Sequence, residues 1–188
     1  LIDEVVVGNI LPAGLGQGVA RQVSINAGIP VSVPAYGLNM VCGSGMKTLM
    51  LAYTSIKAGI QNMVIAGGVE SMSMAPNIIP SKIRNGYKMG GFTTSDHMIA
   101  DALTDAFNNV HMGITAENIV DQFGLTREEQ DAFAFDSQQK AIKAVDAGQF
   151  KDEIVPITVK TRRDEFVFEN DEYPNRRTNL EKLGTLRP

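Results

Sequence analysis

Tyr36-Gly37-Leu38-Asn39-Met40-Val41-Cys42-Gly43-Ser44-Gly45 is an apolar, strand-like run that breaks into glycines, and a long helical pattern from Ser44 to about Ala58 follows it. Gly59 closes that helix as the residue just past its end, and Met63 to Ala66 reads as the next strand before Gly67-Gly68. Strand, helix and strand in this order make a βαβ unit, so the sheet is expected to be parallel. The strands are continuously apolar rather than alternating, which predicts a buried sheet. Met46, Leu49, Met50, Leu51, Ala52, Tyr53 and Ile56 make the helix apolar nearly all round, which predicts that it is buried too.

An earlier unit has the same grammar. Val5 to Ile10 reads as a β-branched strand, and Gly14-Leu15-Gly16-Gln17-Gly18 opens a helical stretch through Val19, Val23 and Ile25 that stops at Gly28-Ile29-Pro30. The glycines of that loop do not form a dinucleotide fingerprint. No third glycine falls in the required place after Gly14-x-Gly16 or Gly16-x-Gly18.

Cys42 is the only cysteine in 188 residues. It stands where a strand hands over to a helix, and the first N–H groups of a helix lack internal partners and carry the positive end of its dipole. A thiolate is favoured at such a place, which makes Cys42 a candidate nucleophile. A free cysteine in an apolar stretch is more often a small packing residue. Gly43 and Gly45 favour the first reading, because they let the backbone turn sharply and approach a ligand.

The net charge of −4 provides no basic footprint for nucleic acid, and no apolar run reaches the roughly 20 residues that span a bilayer. One cysteine excludes an internal disulfide and a multi-cysteine zinc site, so no metal is expected and the reducing cytoplasm is the expected compartment. The chain starts within an apolar pattern and stops at Leu186-Arg187-Pro188, and both ends read as cut from a longer protein.

After Glu70 the texture changes to Met72-Ser73-Met74-Ala75-Pro76 and an irregular stretch through Gly91, which places a domain boundary near residue 75, between 1–74 and 75–188. Helical patterns resume from Asp96 to Phe107, from Thr115 as N-cap to Gly124, and from Thr126, whose Thr126-Arg127-Glu128-Glu129 is a capping box, to Gly148. Two strand-like runs follow, Ile154 to Lys160 and Glu165 to Glu169, joined by a charged turn at Arg162-Arg163-Asp164. Residues beyond Tyr173 are polar and basic. His97 reads as a surface residue at a helix start, Arg176-Arg177 as a solvated pair, and most of the nine methionines as core filler.

Four segments in order carry a resemblance to the thiolases. Asn39-Met40-Val41-Cys42-Gly43-Ser44-Gly45 is similar to the thiolase nucleophile segment, and Ala66-Gly67-Gly68-Val69-Glu70-Ser71-Met72-Ser73 to the strand and turn that follow it. Leu103-Thr104-Asp105-Ala106-Phe107 and His111-Met112-Gly113-Ile114-Thr115-Ala116-Glu117-Asn118 resemble the thiolase loop domain. The resemblance runs from Val5 to Arg187. It implies an α/β fold: an incomplete βαβαβ core over 1–74 that carries the nucleophile, and an inserted α+β loop domain over 75–188 that faces coenzyme A and makes oligomer contacts.

The implied activity is that of an acyltransferase of the acetyl-CoA acetyltransferase type. It condenses two acetyl-CoA to acetoacetyl-CoA, or runs the reverse thiolysis, through an acyl-cysteine. Cys42 takes the nucleophile role. Its own N–H is the implied oxyanion donor, with Gly43 in the backbone turn. Leu103, His111 and Met112 are implied to approach the pantetheine arm of coenzyme A; without the resemblance, His111 reads as a structural histidine bonded within its loop. No cofactor is implied beyond the coenzyme A thioesters that serve as substrates, and the implied assembly is a homotetramer. The family's catalytic histidine and second cysteine have no counterpart in this chain, so it is expected to be inactive alone. Alternatives are a 3-ketoacyl-CoA thiolase for longer chains, a ketoacyl synthase working on carrier protein, and a non-catalytic coenzyme A-binding or assembly module.

Overall fold

The computed structural model describes residues 1–187. The chain divides into two compact units, Leu1–Thr115 and Ala116–Pro188.

In the first unit, β1 (Glu4–Gly8), β2 (Ala35–Leu38) and β3 (Val64–Gly68) form a three-stranded sheet in the order β2-β1-β3. Both pairings are parallel, with Val6 opposite Tyr36 on one side and Ala66 on the other. The crossovers are α1 (Val19–Asn26) and α2 (Ser44–Lys57), as the βαβ reading expects. Successive residues of a strand point to opposite faces. Val5 and Val7 cluster with Ala20 of α1 and with Val33. A Cβ at Gly8, on the other face, would stand 2.7 Å from Ser44 Cβ in α2. One helix therefore covers each face of β1, and Val5 and Val6 are wholly buried.

That arrangement corrects two expectations. Two helices on opposite faces of three strands cover the central strand twice and each edge strand once. Ile65, beside Val5, and Tyr36, beside Val6, remain 40% and 42% exposed. The sheet is parallel but buried only at its centre. Likewise α2 buries a narrow stripe of small residues, Ser44, Thr48 and Ala52, at a spacing of four. Its large apolar residues Met46, Leu49, Met50 and Tyr53 are exposed, with no second layer over them among the described residues.

Helix ends follow the sequence signals. Gly28, Gly59 and Gly148 adopt positive φ just past α1, α2 and α4 (Arg127–Asp146), and the next residue donates back into the last turn, as Ile29 N does to Ser24 O. The strand expected over Tyr36–Val41 stops at Leu38, since Asn39 begins a turn. Between β3 and residue 95 lie two short 3-10 turns, Met72–Met74 and Ser81–Asn85. β4 (Asn77–Ile78) pairs antiparallel with β5 (Ser95–Asp96).

The helix expected over Asp96–Phe107 is instead a short turn ending in a π-helical segment, Ile99–Leu103. Asp96 accepts from Met98 N and Ile99 N at its start, and Asp105 opens a second turn by accepting from Phe107 N and Asn108 N. Two aspartate turns thus divide what the pattern joins. α3 (Met112–Phe123) begins three residues before the expected cap. The Thr115 hydroxyl donates back to Met112 O at 2.6 Å rather than accepting at a helix start.

In the second unit the capping box at Thr126 forms as expected, with Glu129 N donating to Thr126 Oγ1 and Thr126 N to Glu129 Oε2. β6 (Ile157–Lys160) and β7 (Glu165–Phe168) make an antiparallel hairpin closed by Thr161 N to Asp164 O. The polar stretch after Tyr173 contains one short helix, α5 (Leu180–Gly184), capped by Asn179. Arg127 joins α4 to α5 by donating to Leu183 O and Leu186 O.

Candidate functional site

The loops that leave the carboxyl ends of β1, β2 and β3 are tied into one scaffold. Glu70, after β3, accepts from Ile10 N at 2.8 Å with one carboxylate oxygen, and from Leu11 N at 3.0 Å and Asn9 Nδ2 at 2.8 Å with the other. Asn9 also donates to Val69 O, and it is 8% exposed. Asn39 Nδ2 lies 3.5 Å from Ile10 O. Carboxylate bonds to backbone N–H groups are among the stronger hydrogen bonds. They fix the crevice side of the sheet, where ligands of open parallel sheets bind.

Cys42 sits on the turn held by this scaffold. Gly43 is the N-cap of α2, so Cys42 is the residue just before it, and its side chain is exposed. A packing cysteine would be buried. Val41 has φ +47°, a left-handed conformation that a β-branched residue rarely adopts. The surrounding bonds impose it. Val41 N donates to Asn39 Oδ1 at 2.8 Å, and Val41 O accepts from Ser44 N at 3.0 Å and Ser44 Oγ at 2.6 Å. Met40 N donates to Ser44 Oγ at 2.9 Å, and Met40 O accepts from Gly43 N at 3.1 Å. The Cys42 N–H has no acceptor among the described residues.

The sharp conformation of this turn belongs to Val41. Gly43, at φ −85° and ψ 0°, and the helical Gly45 occupy backbone that any residue adopts. The glycine the geometry requires is Gly8, where a Cβ would lie 2.7 Å from the Ser44 carbonyl carbon and 2.9 Å from Gly45 N. Its bare backbone lets the start of α2 rest directly on the sheet. Gly8, Asn9 and the Glu70 carboxylate give no local signal of these roles, because their partners lie elsewhere in the chain, and Ser44, whose partners Met40 and Val41 are close by, has the pattern of an ordinary helix-start serine.

Leu103, His111 and Met112 come together through one antiparallel bridge, between Thr104 and His111. Leu103 is half-buried at the end of the π-helical turn, His111 is exposed, and Met112, 44% exposed, opens α3. His111 Nδ1 accepts from Gly113 N at 3.0 Å, leaving its other nitrogen free of partners among the described residues. No hydrogen bond or bridge links these three to the Cys42 turn among the described residues.

His97 departs from the expected surface position. It is 5% exposed, with Nδ1 2.9 Å from Asp101 Oδ2 in an orientation that makes no hydrogen bond and Nε2 unpartnered among the described residues. Arg176 engages Asp146 with both guanidinium Nη atoms; the pair is exposed, and that hydrogen bond lowers the Asp146 carboxyl below its ordinary range. A concavity of about 510 Å³ lined by Val145, Phe150, Lys151, Ile154, Glu169 and Asp171 lies in the second unit and holds none of the candidate residues. Among the described residues no helix is long and apolar enough to cross a membrane, and no cluster of His, Cys, Asp and Glu could hold a metal ion.

The family profile described as "Thiolase, N-terminal domain" matches residues 1–188. The acetyl-CoA acetyltransferases of Allochromatium vinosum and Pseudomonas aeruginosa are each 53% identical over all 188 residues, which correspond to 48% of their length. A probable acetyl-CoA acyltransferase of Staphylococcus epidermidis has the same identity and coverage. The crystal structure of the Bacillus anthracis acetyl-CoA acetyltransferase superposes with a TM-score of 0.93 at 40% identity, covering the whole of this chain and 47% of that one. Acat5 thiolase from Ascaris suum, solved in complex with coenzyme A, superposes with a TM-score of 0.88 at 38% identity, covering the whole of this chain and 46% of that one. The chain thus spans about half the length of the curated relatives it matches, and with this profile match and this fold it belongs to the thiolase family.

Proposed function

We propose that the whole protein condenses two acetyl-CoA molecules to acetoacetyl-CoA, and catalyses the reverse thiolysis, through an acyl group carried on Cys42. The observation that carries this reading is the exposed Cys42 beside its own N–H, which has no partner among the described residues, just before α2. The names of the matched relatives support the substrate class.

In the first half-reaction the Cys42 thiolate attacks the thioester carbonyl of acetyl-CoA. The carbonyl becomes a tetrahedral oxyanion, to which the Cys42 N–H donates. The C–S bond to coenzyme A then breaks, and coenzyme A leaves with the electron pair. In the second, the carbanion of another acetyl-CoA attacks the acyl-cysteine carbonyl, releasing acetoacetyl-CoA and restoring the thiolate. Both halves need a base, and the only histidines of the chain, His97 and His111, stand respectively buried away from solvent and within the loop bridge. The 188 residues alone therefore carry the nucleophile half of the chemistry and do not turn over.

Leu103, His111 and Met112 serve the pantetheine arm, since a long, thin, amide-bearing ligand needs apolar walls and few polar points. Residues 75–188 act as the loop domain, and 1–74 as the core that carries Cys42. The protein works as a cytoplasmic homotetramer, a reading supported by the exposed apolar residues of α2, which suit packing against further protein.

Incubation with acetyl-CoA, digestion and mass spectrometry test the reading. One acetyl group is expected on the Cys42 peptide and none in Cys42→Ser; no transfer to Cys42 of the whole protein would overturn it. Thiolysis of acetoacetyl-CoA by the 188-residue chain alone would refute its inactivity. The broader acyltransferase name of the Staphylococcus epidermidis relative favours a second reading, thiolysis of longer 3-ketoacyl-CoA. Comparing kcat/KM of the whole protein on four-carbon and ten-carbon substrates separates the two.

A further inference from the structure

We propose that Asn39 and Ser44 are positioning residues for acyl transfer, which hold Val41 left-handed so that the Cys42 N–H, and not only its sulfur, faces the incoming carbonyl. The proposal rests on the acyl-cysteine reading above.

Every backbone polar group of Met40 and Val41 is bonded within the turn, as the distances above show, and two side chains supply three of those bonds. Ser44 is 4% exposed, so its hydroxyl is confined to these two partners. The next N–H along the chain, that of Cys42, has no acceptor among the described residues. A backbone conformation this unfavourable for valine persists only when its surroundings over-determine it. In an ordinary extended conformation the Val41–Cys42 peptide would rotate and its N–H would point elsewhere. The braces therefore set the direction of an oxyanion donor, while the sulfur needs no such aim to remain reachable.

That difference separates positioning from mere support of the fold. Alkylation by iodoacetamide breaks a C–I bond at a saturated carbon, forms no oxyanion and needs only the sulfur. Acylation by p-nitrophenyl acetate passes through a tetrahedral oxyanion. The Cys42 sulfur bonds to the carbonyl carbon, the C–O bond breaks, p-nitrophenolate leaves with the electron pair, and the thiol proton goes to buffer. Because Cys42 is the only cysteine, both reactions report a single site.

In the 188-residue chain, Asn39→Ala should slow acylation by about tenfold, below the full value of an oxyanion donor because the N–H is misdirected rather than removed. Alkylation should change less than about twofold, the effect of leaving thiol access intact. Asn39 is exposed, so this variant keeps the core, and Ser44→Ala provides an independent second case. Adding Val41→Gly to Asn39→Ala should recover most of the lost rate, since glycine adopts the left-handed conformation without a brace. Equal losses in both reactions, an unchanged acylation rate in Asn39→Ala, or no recovery with Val41→Gly would each overturn the proposal. The probe contains no coenzyme A. A brace-dependent reaction with p-nitrophenyl acetate alongside no acetyl transfer from acetyl-CoA to the whole protein would therefore refute the substrate reading and leave this one standing.

Discussion

The two segments that carry the candidate site are built in opposite ways. The Cys42 turn is braced locally by Asn39 and Ser44 but stands on a scaffold closed by partners far away in sequence: Glu70 reaches back about sixty positions to Asn9, Ile10 and Leu11, and Gly8 yields its side-chain space to the start of α2. The His111 segment closes on itself, through a bridge to Thr104 seven residues away and a bond to Gly113 two residues away. Long-range closure costs chain entropy that only a cooperative core offsets, whereas local closure forms and opens independently. A nucleophile must be held in one geometry to aim at a carbonyl. Residues that line a flexible arm need only be present and apolar. The first segment should thus report on global stability, and the second on ligand affinity.

Gly8→Ala should break the first segment with the largest effect. Its Cβ would meet Ser44 backbone and Cβ, which cannot move without lifting α2 from the sheet. Urea unfolding should show a loss of about 2–3 kcal/mol, the upper part of the range for an overpacked site. A loss under about 0.5 kcal/mol would mean that α2 does not rest on β1 as described. Glu70→Gln comes next. An amide keeps one acceptor oxygen but turns an NH2 toward a backbone N–H, and the expected loss is about 1–2 kcal/mol, as for bonds to an ionised acceptor. The same variant should slow acylation of Cys42, since the Ile10 loop also meets Asn39.

This contrast also explains which parts of the molecule were legible in the sequence. Strand, helix and cap order over residues 4–68 follow from local patterns: valine runs, glycines past helix ends, and the Thr126–Glu129 box in the second unit. Cys42 stood out because a lone thiol at a strand-to-helix junction is a local feature. The rest depends either on partners far along the chain, as with Glu70 and Asn9, or on side-chain bonds that no residue pattern announces. Valine has the wrong propensity for φ +47°, and only Asn39 and Ser44 together impose it. Apolar content around α2 did not reveal which stripe meets the sheet, because the stripe is made of its small residues. His97 looked like a helix-start polar residue and is buried, since Asp96 rather than His97 serves the helix start.

His111→Ala sharpens the comparison from the other side. An exposed residue with one local bond should change stability by less than about 0.5 kcal/mol. Titration of coenzyme A against the whole protein should nevertheless show weakened binding. A large stability loss with unchanged affinity would reverse the roles assigned to the two segments.

The smallest effect concerns acid. Asp3 accepts from Asn62 N at 2.7 Å and Met63 N at 3.0 Å, joining the start of β1 to that of β3, and these bonds, Asn62 first, hold its carboxyl below the ordinary 3.8. Asp146 is lowered in the same direction by its hydrogen bond with Arg176 in the second unit. A carboxyl whose folded value is lowered contributes stability at pH above its unfolded value, and that contribution disappears as pH falls through the folded value. Asp146 is exposed and Asp3 partly so, and water reduces both contributions. Asp3→Asn and Asp146→Asn should therefore unfold slightly earlier than wild type at neutral pH and converge with it once the pH falls below the lowered values. Salt separates the two units. The Asp146 difference should shrink in high salt, because its partner is a charge, while the Asp3 difference should persist, because its partners are backbone N–H groups. Equal salt sensitivity of the two would show that the closure of β1 on β3 is electrostatic at long range rather than a directed pair of hydrogen bonds.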